Sequence, residues 1–278
     1  MKNIIPYFFM ALLAAFLMGC PAQNDAEQGE ETQADPMAET TLKPDDFPTS
    51  KGGITLSYLK GSPAFADARL EHGPLSVSET GEADFNFTVT NYELGQQTPD
   101  AADKGLANSG KGQHIHLIVN NGPYFARYEP SFTHQLDSGN NVILAFLSRS
   151  YHESVKNANA YVLTQASVGE GVKPANLDAP HMFYSRPKGT YKGDGANKVL
   201  LDFFLHNCDL SPDGNKVRAT INGTSFVIAE WTPLVMEGLP MGENTVKLEL
   251  LDAKGELVAS PFNPVERTFM LEAEGAEM

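Results

Sequence analysis

The chain has 278 residues, 41% hydrophobic and 9% aromatic, with a formal net charge of −15. That length suffices for one or two domains, and the acidic balance argues against a nucleic-acid partner. With only two cysteines, the chain is not a disulfide-rich scaffold.

The chain opens with MKNIIPYFFMALLAAFLMGC. One basic residue followed by a short apolar run is the pattern of a secretory signal, too short and one-sided for a stable membrane span. Leu17-Met18-Gly19-Cys20 then resembles the lipobox of bacterial lipoproteins. The resemblance implies a signal peptide over 1–19, lipidation of Cys20, and the membrane as a partner through that lipid. Residues 21–48 carry eight carboxylates and one lysine, so nearly half of the net charge sits in this stretch. With almost nothing apolar to bury, residues 20–50 are expected to form a disordered acidic linker. An acidic stretch after a lipidated cysteine also resembles the surface-export signal of Bacteroidota lipoproteins. The expected location is therefore the cell envelope, on the periplasmic or the exposed side of the outer membrane. With Cys20 lipidated, Cys208 is the only thiol left, and it reads as a small, half-buried apolar residue.

From residue 51 onward the sequence is a series of short alternating segments between turn clusters such as SETGEAD, NNGP, DSGNN, GDGANK and SPDGNK. No segment shows apolar residues at helical spacing, so the expectation is all-β. In HIHLIV, 114–119, alternation puts His114 and His116 on one face and Ile115, Leu117 and Val119 on the other. His134 and His152 follow, so four of the seven histidines fall within 39 residues.

Three later blocks repeat earlier ones in order. DFNFTVTNYELG at 84–95 matches LLDFFLHNCDLS at 200–211, with Asn91 over Asn207. The block at 114–129 matches 216–231, and LDSGNNVILAFL at 136–147 matches LPMGENTVKLELL at 239–251 with one insertion. The chain therefore reads as two tandem immunoglobulin-like antiparallel β-sandwiches, over 51–172 and 173–278. The repeat also serves as an internal control. The first copy has His114 and His116 where the second has Lys216 and Arg218, and it inserts a 19-residue loop before His114 where the second has five residues.

Two candidate sites emerge. Imidazole is the commonest metal ligand near neutral pH, so His114, His116, His152 and, less directly, His134 could hold copper or zinc. Proton competition would then weaken binding near pH 6.5. The His-x-His strand resembles that of copper-zinc superoxide dismutases and periplasmic copper carriers, without the further histidines and glycine that complete the dismutase site. Dismutase activity is therefore not implied. The second candidate is anionic recognition at the junction of the copies, by Arg149, Lys156, Arg186 and Lys188 beside Tyr184.

The blocks NYELGQQTPD, KGQHIHLIVNNGPY, AFLSRSYHESVK and FYSRPKGTYKG together resemble an uncharacterised lipoprotein family of Bacteroidota, members of which are sometimes labelled phosphopeptide-binding. That resemblance implies a peptide or protein partner, although nothing here resembles a forkhead-associated domain. No nucleophile elbow, phosphate loop or His-Glu-x-x-His helix occurs. Asp84, Glu82 and Glu153 are scattered carboxylates. The leading expectation is a lipid-anchored, non-catalytic binding module for a peptide, phosphopeptide or small anion. A copper- or zinc-binding lipoprotein is the alternative, and an enzyme with its site in loops is the third reading.

Overall fold

The computed structural model describes residues 39–275; the signal segment, Cys20 and the tether up to residue 38 lie outside them. Among the described residues no helix is long and apolar enough to cross a membrane, and the helical elements are three short 3-10 turns. The fold is all-β, in two immunoglobulin-like sandwiches.

In the first sandwich one sheet joins Arg69–His72, Glu82–Thr90, Ser76–Val77 and Ser131–Gln135. Its other sheet runs Tyr161–Val168, Gly139–Ser148, His114–Val119, Phe125–Arg127. The second sandwich has a five-stranded sheet that begins with His181–Arg186, Lys198–His206 and Leu234–Glu237. A six-stranded sheet built around Lys216–Ile221, Gly242–Leu251 and Val265–Glu272 faces it. Two short edge pairings, Thr41–Leu42 on Thr224–Ile228 and Gly189–Lys192 on Val265–Glu272, are parallel; all the other named pairings are antiparallel.

The sequence repeat is a repeat in space. His114 lies opposite Ser148 and Val119 opposite Ile143, as Lys216 lies opposite Leu251 and Ile221 opposite Val246. The corners repeat as well. Asn91 and Asn207 both adopt left-handed φ, as do Asn120 and Asn222, the conformation that asparagine tolerates better than most residues. Asn120 Oδ1 accepts from the Val142 amide and Asn222 Oδ1 from the Thr245 amide, each at 2.8 Å.

Each sandwich has its own core. Phe85, Ile115, Leu117, Ile143, Ala145 and Leu147 fill the first; Leu201, Phe203, Val217, Ala219, Leu248 and Leu250 fill the second. A third cluster lies between them, where Ile118, Val142, Leu144 and Phe146 meet Phe183 and Phe204. Those four residues are on the outer face of the first sandwich's sheet, so this sheet is covered on both sides. The run NVILAFL is accordingly apolar without alternation.

The N-terminal boundary differs from the expected one. Ile54–Tyr58 pairs with Leu234–Glu237, Thr49–Lys51 extends that edge, and Thr41–Leu42 pairs with Thr224–Ile228. Residues 41–58 are thus strands of the second sandwich; they belong neither to a linker running to residue 50 nor to a first sandwich starting at 51. The reason is burial: Ile54 and Leu56 alternate inward and join the second core. Leu56→Ala is expected to cost about 2–5 kcal/mol, measured by chemical denaturation. Hydrogen exchange should quicken first at Met236, which lies opposite Leu56. Loosening confined to the first sandwich would contradict this placement.

Candidate metal centre

His114 and His116 leave the strand on its outer face, and both are fully buried, because the junction covers that face. His152 comes from the turn after Gly139–Ser148, where it holds a left-handed φ of 71°, a conformation uncommon for a non-glycine residue. The three rings converge. His116 Nε2 is 2.9 Å from His114 Nε2, and His152 Nδ1 is 3.1 Å from His114 Nε2 and 3.4 Å from His116 Nε2. Nitrogens bound at about 2.0–2.1 Å to one tetrahedral ion are separated by about 3.3 Å, so the triangle is of the right size.

The tautomers support ligation. His114 Nδ1 is 2.8 Å from the Gly112 carbonyl, which can only accept, so Nδ1 carries the proton and Nε2 presents a lone pair to the cluster. His116 Nδ1 faces Ser185 Oγ at 3.2 Å, a partner that can accept its proton and leave Nε2 bare. Such outer partners orient metal-bound imidazoles. Burial, aided by the positive charge of Arg186, lowers the His114 pKa to about 4. Burial lowers His116 and His152 well below the usual range too, with neighbouring histidines, Arg186 and Lys188 adding to the effect. The rings are therefore neutral at pH 7, and His114, whose proton is held by the Gly112 carbonyl, turns a lone pair towards the other two.

The inserted loop and the His152 turn brace each other. The Ser150 amide donates to Thr98 Oγ1 at 2.9 Å, and the Thr98 amide to Ser150 Oγ at 3.1 Å. Gly112 has a φ of 82°, and a Cβ there would strike the carbonyls of Gly95 and Gln96, so only glycine presents this carbonyl to His114. Arg149, one of the expected anion ligands, is instead buried against Glu153 at 3.1 Å and donates to the Ser154 carbonyl at 2.9 Å, closing the same turn.

The other expected residues divide. Lys156 bonds Asp202, itself buried, and the Ser154 hydroxyl at 2.6 Å, so Arg149 and Lys156 are neutralised by carboxylates. Tyr184 points into the second core with Arg267 over its ring at 4.4 Å. Arg186 and Lys188 do reach the site, flanking Tyr124 with the Arg186 guanidinium carbon 5.2 Å and Lys188 Nζ 4.2 Å from its ring centre. His134 does not join the other three. It sits on Ser131–Gln135 opposite Ala83, in the other sheet, accepts from Arg127 Nη2 at 3.1 Å and packs on Phe125. The residue beside the cluster that the sequence reading missed is Tyr124. It stacks on His116 with ring centres 3.6 Å apart, and its hydroxyl is 3.3 Å from His152 Nδ1. It lies in a turn, where alternation gives no orientation; the one signal is its place directly after the NNGP turn that follows HIHLIV. Cys208 is half-buried, as expected, and burial pushes its thiol pKa up, which keeps it unreactive.

Two outcomes follow from this geometry. Folding lowers the histidine pKa values, so the metal-free protein should lose stability as pH falls below about 6.5, where the unfolded chain takes up protons. The share due to His114 is complete by about pH 4, where that ring protonates in the folded state too, and the share due to His116 and His152 continues lower. For the same reason metal affinity should stay level between pH 7 and 5 and fall only towards 4, lower than sequence reasoning placed it. Paired calorimetric and metal-competition titrations across this range check both. Gly112→Ala should weaken metal binding about 10–100-fold, provided circular dichroism shows the sheets intact; unchanged affinity would separate the carbonyl from the ligand set.

No family model and no curated protein matches the sequence, so the resemblance to a Bacteroidota lipoprotein family rests on the quoted blocks alone. Among solved structures, the chain is similar to the fibronectin(III)-like modules of Clostridium thermocellum CbhA. The identity is 10% and the TM-score 0.27, covering 34% of this chain and 99% of that one. It is similar to the central fibronectin-III array of RIM-binding protein at 11% identity and TM-score 0.25, covering 74% and 70% respectively. It is also similar to the Bacteroides ovatus mixed-linkage glucan utilization locus SGBP-B, solved in complex with a mixed-linkage heptasaccharide. There the identity is 12% and the TM-score 0.20, with coverage of 78% of this chain and 47% of that one.

Proposed function

We propose that this protein is a non-catalytic metal-binding module of the cell envelope, tethered by lipid at Cys20, that holds a zinc or copper ion on His114, His116 and His152. One observation carries the reading: three neutral imidazoles, two of them fully buried and the third, His152, partly so, bring ring nitrogens within 3.4 Å of one another. Each neutral ring has one nitrogen free of a proton, and a cation at the centre would draw those three lone pairs into three bonds. The donors are all nitrogen, which suits zinc and copper over calcium or magnesium. Among the described residues no Asp or Glu joins the group, so no carboxylate is positioned there as a general base. Anion recognition by the four junction cations alone is the weaker reading, because two of them, Arg149 and Lys156, are already paired within the fold.

Elemental analysis of untagged protein should find about one equivalent of zinc or copper. His114→Ala/His116→Ala should lower the affinity at least about 100-fold, on the scale of removing ligands whose outer partners alone are worth about 10–100-fold. Equal affinity in both proteins, or none in either, overturns the reading. The anchor is tested separately: Cys20→Ser should move the protein out of the membrane fraction, and retention after a salt wash would mean another anchor.

A further inference from the structure

Three histidines leave one position open on a tetrahedral ion, and being neutral they leave its charge undiminished. The junction around them gathers still more positive charge. Arg186 is 7% exposed; its Nη1 donates to the Tyr191 hydroxyl at 2.8 Å while its buried Nε has no partner. Lys188 donates to the Tyr124 carbonyl at 2.6 Å, and Arg267 to the carbonyls of Asn121 and Gly122, both at 2.6 Å. Among the described residues none of these three cations has an ion-pair partner. Asp202 is taken by Lys156, and Glu266 shares a cleft of about 710 Å³ with Lys188 and Arg267 without bonding either. Of the three only Arg186 is buried, and the carboxylate opposite it across the strand pair, Asp202, is the one that Lys156 bonds, so the cations at this junction outnumber the carboxylates that face them.

Tyr124 shows where such a charge would sit. Its ring is parallel to His116 within 7° at 3.6 Å between centres. The hydroxyl therefore stands a stacking distance off the imidazole plane in which a bound ion lies. That is too far to ligate the ion, but it is in place to donate to an atom bound on the ion's open side, 3.3 Å from His152 Nδ1.

We propose that the open position takes a small anion, an oxyanion or a carboxylate, bound to the metal and hydrogen-bonded by Tyr124, in the positive field of Arg186 and Lys188. The inference rests on the metal reading, and its test separates the two. Untagged protein loaded with one equivalent of Cu(II) is titrated with azide as the probe, followed by electron paramagnetic resonance and visible absorption, and then challenged with phosphate. Azide should shift the copper spectrum saturably, and phosphate should displace it. Tyr124→Phe, which keeps the stacked ring, should weaken azide about five- to tenfold, the scale of one lost hydrogen bond. Lys188→Gln should weaken azide and flatten its salt dependence. Absence of copper uptake overturns both readings. Copper uptake with a spectrum that neither anion moves overturns this inference alone. Equal azide affinity in wild type, Tyr124→Phe and Lys188→Gln overturns it too, because copper would then be binding azide without help from the protein.

Discussion

The strand His114–Val119 is buried on both faces, and the chemistry of the site depends on that constraint. Its inner face feeds the first core through Ile115 and Leu117; its outer face would lie in water if the first sandwich stood alone. Packing of Phe183 and Phe204 against Ile118, Leu144 and Phe146 removes that water. Desolvation then holds His114, His116 and His152 neutral, and neutral imidazoles are what a transition metal requires. The second sandwich thus acts on the site mainly by excluding solvent, and contributes Ser185, Arg186 and Lys188 at its margin.

Local pattern made much of this legible. Alternation alone paired His114 with His116, and the repeat marked them as dispensable to the fold, since the second copy builds the same strand without them. His152 was reachable because its turn follows the strand adjacent to His114–Val119. What stayed hidden depends on contacts distant in sequence. The addition of residues 41–58 to the second sandwich is decided by a partner strand nearly 180 residues away, Met236 opposite Leu56, and two inward-pointing residues do not announce which core they enter. The pairing Lys156–Asp202, across the junction, removed one residue from the anion set; the pairing Arg149–Glu153 removed another and is local, four residues apart, but depends on a turn that the sequence pattern does not define. Tyr124 lies in a turn, where no periodicity fixes a side chain's direction.

The two copies show how one scaffold position takes different chemistry. His114 donates to the carbonyl of Gly112, two residues back, at 2.8 Å; Lys216 donates to the carbonyl of Gly214, also two residues back, at 2.8 Å. His116 lies opposite Phe146 across the ladder, and its counterpart Arg218 lies opposite Glu249, bonding it at 2.7 Å. In the second copy this face is partly open, and a cross-strand ion pair suits it. In the first it is closed, and an unpaired lysine or arginine there would carry the full cost of a buried charge. Histidine can be polar and uncharged in the same place.

The cations of the junction divide by the same logic. Arg149 and Lys156 have carboxylate partners and act on geometry: one pair closes the turn that holds His152 at a left-handed φ, and the other ties that turn to Lys198–His206 of the second sandwich. Removing one member of such a pair strands the other's charge, so these residues are committed to the fold. Arg186 and Lys188 bond phenol and carbonyl oxygens, which satisfy donors without cancelling charge. Their field lowers the histidine pKa values and opposes a bare divalent ion. On the proposed metal reading, a complex that carries less positive charge than the bare divalent ion suits this centre better, as it would in company with an anion. Burial does most to keep protons off the imidazoles, with Arg186 adding at all three and Lys188 at His116 and His152; the same two side chains would weigh on the form in which the proposed metal is held.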